Sequence, residues 1–306
     1  MREAQEKDRP MLGIGIVGVD STHTRAYASL LNSGRAGEAR AVGLWGHDRA
    51  RAEELARELG IPLVVDQPEE LVGKVDAVMI CDRFGEVHPL HARPFVEVGC
   101  PTYVDKPMAD RMDEAEALMR LAQARGTRLM SGSSLRCAPA VQALRARVPS
   151  LGPLRCVVIT GPAEGAFPDP RARLLPFYGI HLTELMQAVM GSGVAWARSS
   201  GKGRNEVATV AYQDGRMAVL NLLRAWGLGY SVMAIGQEGW DEVRLAAGDY
   251  EAAYLGLLQA FLRLARTGEQ PWPIQSALEA LETILAIDRS GDSGETVYLS
   301  GIKHNF

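Results

Sequence analysis

Three groups of residues in this chain have the types and spacing to do chemistry. The first is Gly18-Val19-Asp20-Ser21-Thr22-His23, between an apolar run and a helical pattern. A glycine turn from strand to helix lets backbone approach a dinucleotide's diphosphate at the helix N-terminus. The usual form is G-x-G-x-x-G, and here it reads G-x-D-x-x-H. Gly18 can still make the tight turn. Asp20 sets a carboxylate near the diphosphate position, where like charges ~4 Å apart repel by about 1 kcal/mol in bulk water and more when partly buried. A protonated His23 would offset that charge. Asp20 reads equally well as the cap of a helix starting near Thr22.

The second group is Asp105-Lys106-Pro107. A lysine at the carboxyl end of a strand, partly withdrawn from water, can exchange a proton with an alcohol; it could also simply pair with Asp105 or a backbone carbonyl. The third group is Phe177-Tyr178-Gly179-Ile180-His181-Leu182-Thr183-Glu184, opening a helix. Leu182, Leu185, Met186, Val189 and Met190 form its apolar stripe. His181 and Glu184 lie off that stripe, three residues apart and so neighbours. An imidazole, with an unperturbed pKa of about 6.5, exchanges protons near neutrality.

Lesser candidates surround these. A site for NAD wants an acid at the end of the second strand, to bond the 2′-hydroxyl. Gly46 stands there, with Asp48 two residues on; His47, Arg49 and Arg51 would suit a 2′-phosphate. Asp48 also reads as a helix N-cap and Arg51 as a solvated face. NAD against NADP stays open, with a lean to NADP. Cys81-Asp82-Arg83 ends the fourth strand, and His88 and His91 follow on one helix face. Asp20, His23, Asp82 and His88 are of metal-ligand type, but only topology gathers them, and no metal is assigned. The segment 164–173 reads as a loop in which Arg171 or Arg173 could meet an anionic group, or simply be solvated.

The elements that must position these residues alternate in the first half. Strands are expected at 12–19, 39–45, 61–65, 75–81, 102–104 and 128–130, with helices at 22–31, 48–59, 90–98 and 110–124. That alternation implies an α/β fold with a doubly wound parallel sheet, whose ligands bind beyond the carboxyl ends of the strands. From about 135 the pattern changes. Strands at 154–160, 206–212, 217–223, 230–235 and 242–245, joined by turns such as Gln213-Asp214-Gly215, suggest an antiparallel sheet. Helices at 181–190, 250–266 and 274–288 make this an α+β domain.

Composition bounds the reading. At about 150 residues per domain, 306 residues make roughly two domains. We place a disordered tail at 1–10, a first domain at 11–135 and a second at 136–306, whose C-terminal segment can pack back on the first. The formal charge of −4 argues against a polybasic nucleic-acid surface. No apolar run approaches the roughly 18–20 residues of a membrane span. The four cysteines are scattered with no C-x-x-C pair, so no disulfide or zinc framework is expected and a cytoplasmic protein is.

The stretch from Asp76-Ala-Val-Met-Ile-Cys81, through Gly99, to Asp105-Lys106-Pro107 resembles the Gfo/Idh/MocA family, the glucose–fructose oxidoreductase and inositol dehydrogenase-like proteins. Their signature is D-A-V-x-I, a helix, then A-G-K-x-V-x-x-E-K-P, with Asp for Glu here. Segments 52–56, 66–71, 277–288 and 294–299 extend the likeness over nearly the whole chain. The resemblance implies a Rossmann domain followed by a domain with an open sheet, a natural surface for a homodimer or homotetramer. It implies NAD(P)-dependent hydride transfer with a sugar, polyol or related small hydroxy compound. Gly18, Val19, Asp20, His23, His47, Asp48, Cys81, Asp82, Lys106 and Pro107 would then hold the coenzyme, and the Lys–Pro bond in the family is often cis. The family's second motif, D-x-G-x-H-x-x-D, reads F-Y-G-I-H-L-T-E here, with Phe177 in place of the first Asp. His181 would act as acid/base with Lys106 as electrostatic partner. Tyr178, Glu184 and Arg173 would join them around the substrate, Tyr178 supplying the missing hydroxyl. The departures at Asp20, His23 and Phe177 also fit a binding or regulatory protein that has lost the activity, or a lyase or hydrolase using the same crevice.

Overall fold

A computed structural model describes residues 11–164, 169–203, 205–225 and 227–300, with the backbone alone at 172 and 173. The expected tail at 1–10 lies outside the described residues. The chain forms two compact units that interleave in sequence. One takes in Met1–Asp105, Asp113–Ser131 and Tyr254–Pro271; the other Lys106–Met112, Gly132–Ala253 and Trp272–Phe306.

The first unit carries strands β1 (Leu12–Val17), β2 (Ala39–Trp45), β3 (Leu63–Val64), β4 (Ala77–Ile80), β5 (Thr102–Val104) and β6 (Leu129–Ser131). They form one parallel sheet in the order β3-β2-β1-β4-β5-β6. This is the Rossmann arrangement. Both faces of its centre are covered, so Ile14, Ile16, Val17 and all of β4 are buried. The order reverses between β1 and β4, and the loops after these two strands flank the switch point where such sheets bind ligands. Helices α1 (Thr22–Asn32), α2 (Arg49–Leu59), α3 (His88–Glu97) and α4 (Met112–Arg125) connect the strands. The helix expected at 90–98 starts earlier, at His88, because Pro89 lies in its first turn, where a missing N–H costs nothing.

The second unit adds α5 (Pro139–Arg147), β7 (Leu154–Pro162), α6 (Leu175–Met190), β8 (Val194–Ser200), β9 (Glu206–Tyr212), β10 (Met217–Leu223), β11 (Ser231–Gly236), β12 (Trp240–Arg244), α7 (Ala247–Thr267, which runs on into the first unit), α8 (Gln275–Ser293) and β13 (Val297–Tyr298). Its sheet has the order β12-β11-β7-β10-β9-β8-β13, antiparallel except for the pair β7/β10. Helices α6 and α8 pack together and against this sheet. Burial alternates along β10, so one face is covered and the other is half-open. Two elements were not expected from the sequence: β8, whose apolar residues are interleaved with Arg and Ser, and α5, which buries only Val141 and Leu144. The start of α6 also differs. It begins at Leu175 rather than 181, with Pro176 in the first turn, and is buried nearly all round instead of along one stripe. His181 and Glu184 are therefore buried.

Candidate functional site

The turn after β1 keeps its glycine for a steric reason. Gly18 has φ +99°, and a Cβ there would lie 2.5 Å from the Asp82 backbone nitrogen. Asp20 does not cap α1: Ser21 does, its Oγ accepting from His23 N at 3.2 Å. The Asp20 carboxylate instead accepts from Arg83 N at 3.2 Å, and the Arg83 guanidinium donates to the Asp20 carbonyl. Arg83, not His23, is therefore the cation beside Asp20. His23 Nδ1 is bound to the Asp105 carboxylate, which also accepts from Tyr103 OH at 3.0 Å. The third fingerprint position is thus tied to the first residue of the Asp-Lys-Pro triplet.

Val19 is buried against Gly46, where an added Cβ would lie 2.2 Å from Val19 Cγ2. This close approach accounts for the missing acid at the end of β2. Asp48 does not replace it; its carboxylate caps α2, accepting from Arg51 N at 3.0 Å. Arg49 is held by Glu53 and Asp66. Arg51 lines a small cavity of about 160 Å³ with Ser21, Thr22 and Arg25.

A larger cavity of about 610 Å³ opens beyond β2 and β3, lined by Trp45, His47, Asp66, Gln67, Leu90 and His91 among others. Behind it, His91 Nδ1 lies 2.8 Å from Asp82 Oδ2, and His88 Nε2 lies 2.9 Å from the Asp82 carbonyl. Asp82 Oδ1 is buried with no partner among the described residues. Cys81 is fully buried; burial first, then Asp105 and Asp82, push its thiol well above the ordinary range and keep it protonated. Of the four residues of metal-ligand type, Asp20 and His23 bind Arg83 and Asp105 while His88 meets the Asp82 carbonyl, and no group of three or more His, Cys, Asp or Glu among the described residues could hold a metal ion.

The second cluster lies in the other unit. The Lys106–Pro107 peptide is cis. Lys106 is buried and donates from Nζ to the Phe177 carbonyl at 3.1 Å, with the Phe177 and Tyr178 ring centroids 5.0 and 5.3 Å from Nζ. Aromatic faces and a carbonyl replace part of the ammonium's lost hydration. The Tyr178 and His181 rings are 5.7 Å apart, so Tyr178 links the two expected catalytic residues. Ser133 Oγ lies 2.7 Å from His181 Nδ1.

Glu184, expected beside the substrate, is instead bound by Arg136 Nε and takes a hydrogen bond from Ser133 N. Burial raises its pKa, and Arg136 pulls it back. Arg136 also donates to Ser276 Oγ at 3.3 Å and lies 5.3 Å from the Trp272 ring centroid. His181 and Glu184, one step apart on α6, therefore grip a single turn, 133–136. Sequence reasoning missed Ser133 and Arg136, although their place just beyond β6, at a strand's carboxyl end, was a usable signal. Arg171 is folded onto Asp169, and the Arg173 side chain lies outside the described residues.

The cradle of the first unit fits a nicotinamide dinucleotide. The glycine turn is intact, the first turn of α1 holds no acid, a guanidinium stands beside Asp20, and Asp82 keeps an unmatched acceptor at the switch point. Residues 12–133 match the family described as "Oxidoreductase family, NAD-binding Rossmann fold". The chain is 29% identical over 178 residues to trans-1,2-dihydrobenzene-1,2-diol dehydrogenase of Oryctolagus cuniculus, covering 57% of this chain and 47% of that protein. It is 26% identical over 295 residues to myo-inositol dehydrogenase Hyg17 of Streptomyces leeuwenhoekii, covering 80% of this chain and 88% of that one. The chain thus spans about half the length of the diol dehydrogenase and most of the inositol dehydrogenase. Among solved structures, a probable dehydrogenase from Thermotoga maritima superposes with a TM-score of 0.84 at 18% identity, covering 94% of this chain and 98% of that one. Scyllo-inositol dehydrogenase from Lactobacillus casei, with bound cofactor NAD(H) and scyllo-inositol, gives 0.81 at 15% identity, covering 94% and 99%. At these identities the likeness to solved structures is one of fold.

Proposed function

We propose, for a chain whose residues 12–133 match the Gfo/Idh/MocA oxidoreductase family, that it is an NAD(P)-dependent dehydrogenase acting on a sugar, polyol or related hydroxy compound. The observation that carries this reading is the burial of Lys106 and His181 around one tyrosine ring. When bound, the nicotinamide gives or takes a hydride. The chain's own residues do the rest. Gly18 and the N-terminus of α1 receive the diphosphate, with the Arg83 guanidinium held on the Asp20 carbonyl beside it. The cavity lined by Trp45, His47 and His91 takes the adenosine end. Lys106 and His181 hold the reacting oxygen, Lys106 exchanges its proton, and Tyr178 adds a hydroxyl. The relatives named as diol and inositol dehydrogenases support a hydroxy compound as substrate.

The rival reading, a binding or regulatory protein, draws on Asp20, His23 and Phe177; against it, the Asp20 carboxylate accepts from Arg83 N and His23 is bound to Asp105. Titration with NADH and NADPH, followed by energy transfer from Trp45 and the other tryptophans, tests the proposal and ranks the two coenzymes. Failure of both to bind up to millimolar concentration would refute it. With binding in hand, Lys106→Ala and His181→Ala should each lose turnover on a polyol panel, and unchanged rates in both would overturn their assignment to the reacting oxygen. The half-open face of the second sheet, where Val207 is 45% exposed, is the surface proposed for a homodimer or homotetramer. Light scattering of the purified protein tests it.

A further inference from the structure

The proton of Ser133 decides what His181 can offer. Ser133 is fully buried, and its Oγ accepts from Leu135 N at 3.2 Å. A hydroxyl carries one proton. Among the described residues, the acceptor in reach of that proton is His181 Nδ1, at 2.7 Å. The opposite arrangement, Nδ1–H donating to Ser133, would leave the serine proton stranded in a buried place, at the cost of an unmade hydrogen bond. Ser133 Oγ is held in this direction by the Leu135 N–H, on a backbone that is itself fixed. The Ser133 N–H is bound to Glu184, its carbonyl accepts from Arg136 N, and Arg136 is locked onto Glu184.

We propose that Ser133 is a positioning residue that holds neutral His181 as the Nε2–H tautomer, so that the site offers donors to the reacting oxygen and is built to receive a carbonyl compound for reduction. This deepens the dehydrogenase reading and rests on it. An imidazole with a proton on Nε2 and Nδ1 already occupied is a donor, not a base. An ammonium at Lys106, facing two aromatic rings and the Phe177 carbonyl, presents donors only. A carbonyl oxygen is the acceptor that matches both. In the step, hydride from the reduced coenzyme forms the new C–H bond and the C=O π pair moves to oxygen. That oxygen takes a proton from Lys106 Nζ, and the amine regains one from water. The coenzyme leaves oxidised, and His181 keeps its proton throughout while donating a hydrogen bond.

The test needs neither coenzyme nor turnover. The chain has six histidines, so long-range proton–nitrogen correlation spectra of histidine-labelled protein are tractable, with His181 assigned by difference from His181→Gln. Near neutral pH we expect Nε2 to carry the proton and Nδ1 to be bare. A proton on Nδ1, with Nε2 bare or protonated, would overturn the proposal. Ser133→Ala should abolish the bias and Ser133→Thr should keep it; a bias unchanged in Ser133→Ala would also overturn it. If Ser133→Ala fails to fold, the wild-type and Ser133→Thr spectra still decide. With substrate, Ser133→Ala should lower kcat for carbonyl reduction about tenfold while leaving coenzyme affinity unchanged. Failure of both coenzymes to bind would sink the dehydrogenase reading yet leave the tautomer measurable, so the two failures are distinguishable.

Discussion

The contact between Val19 and Gly46 can be tested by a double-mutant cycle. In Gly46→Ala the new Cβ would lie 2.2 Å from Val19 Cγ2 and 2.7 Å from Cγ1, so one of the two loops must move. Overpacking of this kind costs about 1–3 kcal/mol. Gly46 is not among the positive-φ glycines, so alanine there also returns about 0.4–1 kcal/mol by narrowing the unfolded ensemble. The expected net loss is about 1–2 kcal/mol. Val19→Ala alone removes two methyl groups and should cost about 1.5 kcal/mol. In the double variant both offending methyls are gone and only Val19 Cβ, at 3.0 Å, remains near. The double should therefore be no less stable than Val19→Ala, a coupling of about 1–2 kcal/mol. Equilibrium urea unfolding reads this directly. Where unfolding proves irreversible, melting temperatures serve, at about 2–4 °C per kcal/mol for domains of about this size. Single-mutant losses that add to within about 0.5 kcal/mol would show that the two residues do not share this space, and would remove the steric account of the missing acid at the end of β2.

Three further outcomes are expected. Glu184→Gln strands Arg136 as a buried cation and should cost about 3–5 kcal/mol in urea unfolding; a loss below about 1 kcal/mol would show the pair to be solvated. Asp105→Asn should cost about 1.5–3 kcal/mol by weakening its bond to His23, and His23→Ala should add little in that background. Full additivity would contradict the pairing. Burial pushes the Cys100 and Cys137 thiols from their ordinary 9.0 up to about 11. Their protons are held more tightly in the folded chain, so this part of the stability is complete below pH 9 and is lost as pH rises towards 11. The drop in urea midpoint between pH 8 and pH 10.5 should shrink when both thiols are replaced by alanine.

What could be read from the sequence was what is local. The strands at 206–212 and 217–223 and the cap of α2 at Asp48 follow from periodicity and turn chemistry within a few residues. Lys106 and His181 were singled out by a triplet and a helical step. Their partners were not. His23 meets Asp105 across 82 positions and Ser133 meets His181 across 48, and no local pattern encodes which side chains a topology will bring together. Element starts failed where proline sits in the first turn, at Pro89 and Pro176, because a residue that breaks helices inside them is tolerated at their beginning. The pairing of Glu184 with Arg136 was not legible for a related reason: helical spacing places a residue on a face but does not say what that face meets.

The departures from the family pattern share a physical property that bears on function. Asp20 is answered by Arg83, His23 by Asp105, Gly46 by Val19, and the carbonyl of Phe177 by Lys106. A site drifting without constraint would keep old residues whose partners have gone, or gain charges facing nothing. Here each of these residues has a counterpart in contact, and the counterparts lie on other loops or elements. Such agreement between separate segments is what a fold shows when its local choices support one arrangement. It is also what an altered but working site requires, since a catalytic constellation must be held to within a fraction of an ångström by its surroundings. The paired departures therefore favour a site held in place by its surroundings over one whose changed residues have lost their partners.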